Sequence, residues 1–302
     1  MKRIALILLA LMLVAAGSAR AEDGTAGLAF LKLGVGARAI GIGDAYTAVG
    51  GDASSIYWNP AGSVAVENID VLLMHSEWFE GIRYEYLGGV KSDGRQAFGV
   101  GFVGLYVNDL ERRDGPTSEP DGDFGVFDFA MTGTYARRLT EYLDVGASAK
   151  YLHSEIDDEK AQGVAFDAGL QYRVTSVTGL SLGVSVHNLG AQMKYVEEAF
   201  DLPVLGRLGA AYETPVDALN GTVLIVADAI VPTDGDTKLH AGIEYEYNDL
   251  VALRFGYRNG WDNQNISAGF GAKVRNFRID YAYVPFYSDL GDTHRLSLGF
   301  AL

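Results

Sequence analysis

LVALRFGYR, residues 250–258, alternates without a break: Val251, Leu253, Phe255 and Tyr257 fall on one face, and Ala252, Arg254, Gly256 and Arg258 on the other. Period two is the period of a β-strand, not of a helix. The same reading holds further along. Phe277, Ile279, Tyr281 and Tyr283 alternate with Arg278, Asp280 and Ala282, and Leu296, Leu298, Phe300 and Leu302 with Arg295, Ser297, Gly299 and Ala301. Upstream, Val164, Phe166, Ala168, Leu170, Tyr172 and Val174 alternate with Gly163, Asp167, Gln171 and Arg173.

Alternation alone suits a soluble sandwich, but three features favour a membrane barrel. The segments run to about ten residues, the length a tilted strand needs to cross a bilayer, against about five or six for a soluble strand. The polar set is charged or very small, which suits a wet or filled lumen better than a dry core. The connections also alternate in length. Fourteen candidate strands lie near 69–79, 83–91, 96–107, 124–137, 142–154, 162–174, 180–189, 204–213, 221–231, 237–247, 250–258, 265–274, 277–286 and 293–302. The long or polar connections 108–123, 155–161, 190–203, 232–236, 259–264 and 287–292 fall on one end, and tight turns such as 92–95, 248–249 and 275–276 on the other. Short turns on the periplasmic side and longer loops outside are the habit of outer-membrane barrels, as is an even strand number.

The start of the chain speaks to its destination. Met1-Lys2-Arg3 is basic, Ile4 to Ala16 is apolar, and Ser18-Ala19-Arg20-Ala21 offers small residues at Ala-x-Ala spacing. This predicts a secretory signal over 1–21, since the apolar run is shorter than the roughly 20 residues of a membrane anchor. Without it 21 basic residues face 39 acidic ones, a charge of −18. So acidic a chain is a poor nucleic-acid binder. Zero cysteine excludes disulfides, zinc-thiolate sites and cysteine nucleophiles.

Residues 22–65 behave differently. Glycine and alanine break the alternation, and the segment is too apolar for a free tail. Its polar backbone would be costly in lipid, so it is expected inside something. Gly34-Val35-Gly36-Ala37-Arg38-Ala39 matches a dinucleotide-loop spacing, with a short helix over 37–48. No βαβ pattern follows, so glycines that permit tight packing are the better reading. The acidic runs 121–123 and 157–159 lack a full calcium ligand set, and the five histidines lack metal spacing. No cofactor, metal or enzyme activity is therefore expected. The inward register places Asp167, Arg173, Glu244, Glu246, Arg254, Arg258, Lys273, Arg278, Asp280 and Arg295 in the lumen, where cross-strand ion pairs are expected to hold whatever fills it.

The run GARAIGIGDAYTAVGGDASSIYWNPAG (36–62), with RIDYAYVPFYSDLGDTHRLSLGF (278–300), FGYRNG (255–260) and HNLG (187–190), resembles the FadL-like outer-membrane barrels, and within them the PorV/PorQ family. The resemblance covers nearly all of the mature chain. It implies an all-β fold, a fourteen-stranded antiparallel transmembrane barrel over 66–302 in the outer membrane, with an N-terminal hatch over 22–65 inside its lumen. The hatch motif would be Tyr57, Trp58, Asn59, Pro60, Ala61 and Gly62. Pro60 fixes φ and removes a donor, and Tyr57 and Trp58 would pack against the wall. Two functions follow from the resemblance. A PorV/PorQ-like protein would bind secreted cargo as part of a type IX secretion system. A FadL-like protein would pass hydrophobic small molecules. Partners are then outer-membrane lipid with either cargo proteins and secretion components or an apolar ligand.

Overall fold

A computed structural model describes residues 26–78, 81–113, 115–116, 118–261, 263–287 and 291–302. The expected signal sequence over 1–21 lies outside them. In chain order the strands are β1 Ile69–Glu77, β2 Arg83–Ser92, β3 Gln96–Arg112, β4 Gly122–Thr140, β5 Leu143–Ile156, β6 Glu159–Arg173 and β7 Leu180–Gly190. Two short ones follow, β8 Met193–Lys194 and β9 Ala199–Phe200. The rest are β10 Leu205–Val216, β11 Gly221–Pro232, β12 Lys238–Tyr247, β13 Val251–Asn259, β14 Ile266–Val274, β15 Phe277–Pro285 and β16 Asp292–Ala301. All but β8 and β9 pair antiparallel in a closed fourteen-stranded ring in which β1 meets β16. β10 pairs β7 directly, and β8 and β9 form a separate small hairpin between them in sequence.

The opening stretch shows why the ring forms. Along β13, Ala252, Arg254, Gly256 and Arg258 are buried while Val251, Leu253, Phe255 and Tyr257 are exposed. Leu253 is 61% exposed and Phe255 52%. The buried face is thus the one with the arginines, the inverse of a soluble sheet. Bare apolar side chains recur on the outward face of other strands, at Phe98, Val100, Ile279 and Leu298 among them. Such a belt is costly in water and favourable against hydrocarbon.

Three connections differ from expectation. β3 and β4 reach 17 and 19 residues, into the stretch expected as the loop 108–123. The ladder passes a bulge between Val107 and Leu110, where Asp109 takes φ 59°. The expected loop 155–161 shrinks to a turn at 157–158, with Asp157 at φ 57°. The expected loop 190–203 carries the hairpin β8–β9. Above the membrane a strand has no lipid to face, so its sequence loses the alternation that would reveal it.

Residues before β1 form a short 3₁₀ turn Ala29–Lys32, helices α1 Ala37–Gly41 and α2 Ser55–Trp58, and a 3₁₀ turn Pro60–Ala65. α1 is shorter than the expected helix over 37–48. Gly43 at φ 75° and Asp44 at φ 62° turn the chain out of it. Val35, Ile40, Ile42, Tyr46 and Trp58 of this segment are fully buried.

Candidate functional site

The segment 26–66 reaches strands on every side of the ring. The Ala37 amide donates to Ser297 Oγ on β16 (2.9 Å), and the Ala53 amide to Asp70 on β1 (2.7 Å). On the far side, Asp228 of β11 accepts from the Tyr46 and Thr47 amides (3.1 and 3.0 Å) and from Thr47 Oγ1 (2.6 Å). Gln171 of β6 donates to the Val49 carbonyl (2.9 Å). A buried irregular backbone needs such partners, and inward polar side chains supply them.

The expected motif sits at the densest of these contacts. Asn59 Nδ2 donates to the Thr47 carbonyl (2.8 Å) and to the Leu170 carbonyl of the wall (3.1 Å). Its Oδ1 accepts from the Ala61 amide (3.1 Å), capping the turn whose first residue is Pro60. Gly62 closes that turn by donating to the Asn59 carbonyl (2.9 Å). Tyr57 OH lies 2.8 and 2.6 Å from the Leu31 and Leu33 carbonyls, and Trp58 Nε1 donates to the Val35 carbonyl (2.9 Å). These aromatics thus bind the segment to itself. The wall meets the motif with glycines. A Cβ on Gly169 would stand 2.0 Å from Asn59 Oδ1, and one on Gly146 2.5 Å from the Ala61 amide.

The inward charges form a chain. Arg38 of α1 pairs with Glu244 (2.7 Å), which also accepts from Arg254. Arg254 pairs with Asp280 (2.7 Å), Asp280 with Arg278 (3.2 Å), and Arg278 with Asp70 (3.6 Å). Arg258 holds Asp44 at 2.8 Å, so FGYRNG places its arginine on the segment. Its Gly256 leaves no room for a Cβ, which would stand 2.1 Å from the Gly43 amide. Arg295 lies over the Trp78 ring at 5.1 Å. Asp167 pairs with Lys150 (2.8 Å), and Arg173 with Asp144 (2.7 Å). Glu246 is half-buried. Lys273 differs from the others: it is exposed at the short-turn rim, 3.6 Å from Asp249, beyond the reach of the segment. Within the segment, burial alone would raise the Asp52 carboxyl. Arg278 and Arg38, with hydrogen bonds from Ser54 and Tyr46, outweigh burial and hold it below the usual carboxylate range.

At the long-loop rim a cavity of ≈ 420 Å³ opens between the segment and β10–β13, lined by Lys32, Leu33, Leu205, Arg207, Ile230 and Trp261 among others. Below it, a void of ≈ 10 Å³ shares Leu205 and Arg207 with the cavity and adds Leu31, Tyr57, Lys150 and His187. A second void of ≈ 10 Å³ shares Leu31, Tyr57 and Lys150 with the first and reaches Ile56, Gly101 and Phe102. On the outer surface a groove of ≈ 270 Å³ shares Tyr86 and Phe102 with that second void. The row therefore leads from the rim to the lipid-facing wall at β2–β3. Each small void holds about one water, so the path is shut. Its wall end is at Gly101, where Ile56 Cγ2 lies 3.1 Å from where a Cβ would stand, while Tyr86 fills the space beside the paired Gly88.

Beside the path a serine, a histidine and a carboxylate come together. His187 Nε2 is 2.8 Å from Ser185 Oγ, and its Nδ1 is 3.4 Å from Asp167. The order is that of a hydrolase triad. Ser185 Oγ, however, also donates to the Trp58 carbonyl (3.3 Å), and the void beside His187 has no space for an ester. The cluster instead stitches a wall irregularity. Where the β6–β7 ladder slips between Phe166 and Ala168, Asp167 accepts the Asn188 amide (2.9 Å), and Lys150 donates to Asn188 Oδ1 (2.8 Å). This accounts for the HNLG run. Arg207, Asp228 and Trp261 were not singled out from the sequence. Only strand parity places the first two inward, and Trp261 sits in a loop without periodicity.

Three solved structures share this architecture. The CymD monoaromatic hydrocarbon channel aligns with a TM-score of 0.66 at 13% identity, over 89% of this chain and 98% of its own. The toluene transporter TodX of Pseudomonas putida gives 0.59 at 13%, over 88% and 96%. A FadL homologue of Pseudomonas aeruginosa gives 0.54 at 11%, over 85% and 96%. At these identities the likeness is one of fold: the closed antiparallel barrel of FadL-like outer-membrane proteins, as the sequence led one to expect. The PorV/PorQ branch in particular is not shown by it. No curated protein matches the sequence. A family profile matches residues 13–302, and the chain belongs to that family, described as "Uncharacterised protein family (UPF0164)".

Proposed function

We propose that the chain is a conduit in the outer membrane for small apolar molecules, of the FadL-like kind, and not an enzyme. Residues 1–21 would be its export signal, 22–65 its hatch and 66–302 its barrel. The long-loop rim would face outward. A ligand would enter the rim cavity, pass along the segment, and leave sideways between β2 and β3 into the membrane.

The observation that carries this reading is the row of voids with shared lining residues, which runs from the rim cavity to the inner face of the wall at Phe102, behind an outer groove. Two of its links are nearly closed and the β2–β3 ladder is continuous, so passage needs the segment to give way at Leu31, Ile56 and Tyr57 and the two strands to part beside Phe102. The likeness to hydrocarbon channels supports the same reading at the level of fold. The cargo-shuttle reading draws support from the sequence resemblance alone; unchanged surface proteins in a deletion strain would count against it.

The test is the initial rate of radiolabelled toluene uptake by Gram-negative cells that carry or lack the chain. We expect uptake to rise several-fold with the chain. Ile56→Ala, which widens the wall end without adding bulk, should raise it again while exclusion of large polar antibiotics stays intact. Equal uptake with and without the chain would sink the conduit reading.

A further inference from the structure

The floor of the rim cavity carries a charge that a ligand could match. Arg207 on β10 lines it and is only 5% exposed. Its guanidinium lies 4.8 Å from the Trp58 ring centre, and its one hydrogen bond, to the Asp44 carbonyl, is long at 3.5 Å. Among the described residues it has no carboxylate in ion-pair contact. Of the other charges that line the cavity, Asp236 is exposed to solvent and the rest are engaged. Lys32 is bound to Asp234 at 2.7 Å, and Lys238 sits 3.8 Å over Trp261. Asp228, on the adjacent strand, spends its Oδ2 on Tyr46 and Thr47. Asp228 acts on Arg207 only from outside contact distance, and a buried cation with no carboxylate in direct contact is costly, a cost that a ligand anion reaching it would lower.

We infer that the cavity selects a short organic carboxylate, its anion held by Arg207 and its apolar body against Leu205, Ile230 and Trp261. The planar guanidinium suits a carboxylate in two-point contact. The body must be short, because the ≈ 420 Å³ cavity lies at the small end for ligand sites and gives onto voids of ≈ 10 Å³. An aromatic body fits best, since the Trp261 ring, covered on one face by Lys238, also lines the cavity. This assignment rests on the conduit reading for its purpose but not for its test.

The experiment is calorimetric titration of the full-length protein in detergent with phenylacetate, the neutral phenylacetamide and hexadecanoate. Phenylacetate should bind about tenfold or more tightly than phenylacetamide, the gain of a charge-assisted pair, and hexadecanoate should bind weakly. Arg207→Gln, shown folded by its heat-shifted gel band, should erase the preference, and Arg207→Lys should keep part of it. Trp261→Ala, away from the segment, should weaken phenylacetate and phenylacetamide alike. Equal affinity for acid and amide, phenylacetate binding unchanged in Arg207→Gln, or no loss in Trp261→Ala would overturn the assignment. Toluene uptake without phenylacetate binding would leave the conduit and remove the carboxylate site. Phenylacetate binding without toluene uptake would do the reverse.

Discussion

A single wall glycine decides whether the motif at Asn59 can dock. Gly169 leaves its Cβ space to Asn59 Oδ1 and Pro60 Cδ, 2.0 and 2.9 Å from where a methyl would stand. Gly169→Ala forces the asparagine off the Leu170 carbonyl and should cost about 1–3 kcal/mol, the range for overpacking. Asn59→Ala loses the cap on Ala61 and the wall contact, about 1–2 kcal/mol. The two should couple. Once Asn59 is alanine, the Oδ1 that clashes is gone, so the double variant should be less destabilised than the singles added together. Urea unfolding in detergent reads this, and strict additivity would show that Asn59 does not dock at Gly169. The sequence made Asn59 visible because Asn-Pro is a turn signal. It could not make Gly169 visible as its socket, because a glycine with a close neighbour and one with open space beside it read alike.

At the scale of elements, the wall strands were legible and the segment was not. Alternation is imposed by lipid on one side and lumen on the other, so it runs only as far as the bilayer does. It fixed the opening stretch on β13 and failed at the tops of β3 and β4, where both faces see water. The segment has no period because its contacts are one-off: α1 is placed by Arg38 reaching Glu244 and by Ala37 on Ser297, pairings between residues more than two hundred apart in sequence. Glu244→Gln tests that placement. Arg254 keeps Asp280, but Arg38 is left with Asp52 at 3.9 Å. Stranding a largely buried guanidinium should cost about 3 kcal/mol. The loss should be local: amide exchange should quicken over residues 37–47 while β12–β14 stay protected. Uniform quickening throughout the barrel would mean that Glu244 holds the wall and not α1.

For the whole molecule, the question is whether the barrel depends on what fills it. The wall's own charge chain, Glu244–Arg254–Asp280–Arg278–Asp70, closes without the segment. Closure of the ring by β1 and β16 also stands free of it, with eight paired positions from Asp70↔Ala301 to Glu77↔His294. What the segment satisfies includes Asp228, Gln171, Arg207 and Asp234, while Arg258 keeps Gln264, and water entering the lumen can serve those left open. Deleting 26–66 behind an intact export signal should therefore leave a barrel that assembles, migrates as a folded heat-shifted band, and passes ions in a planar bilayer with a large steady conductance where the full chain passes almost none. The proposed path needs the segment as one of its walls, at Leu31, Ile56 and Tyr57, so the same deletion should lose any preference for apolar over polar solutes of equal size. A deleted barrel that fails to fold would place the segment in the core of the structure. A deleted barrel that folds and stays closed to ions would mean that the long loops, with β8–β9, are the true barrier.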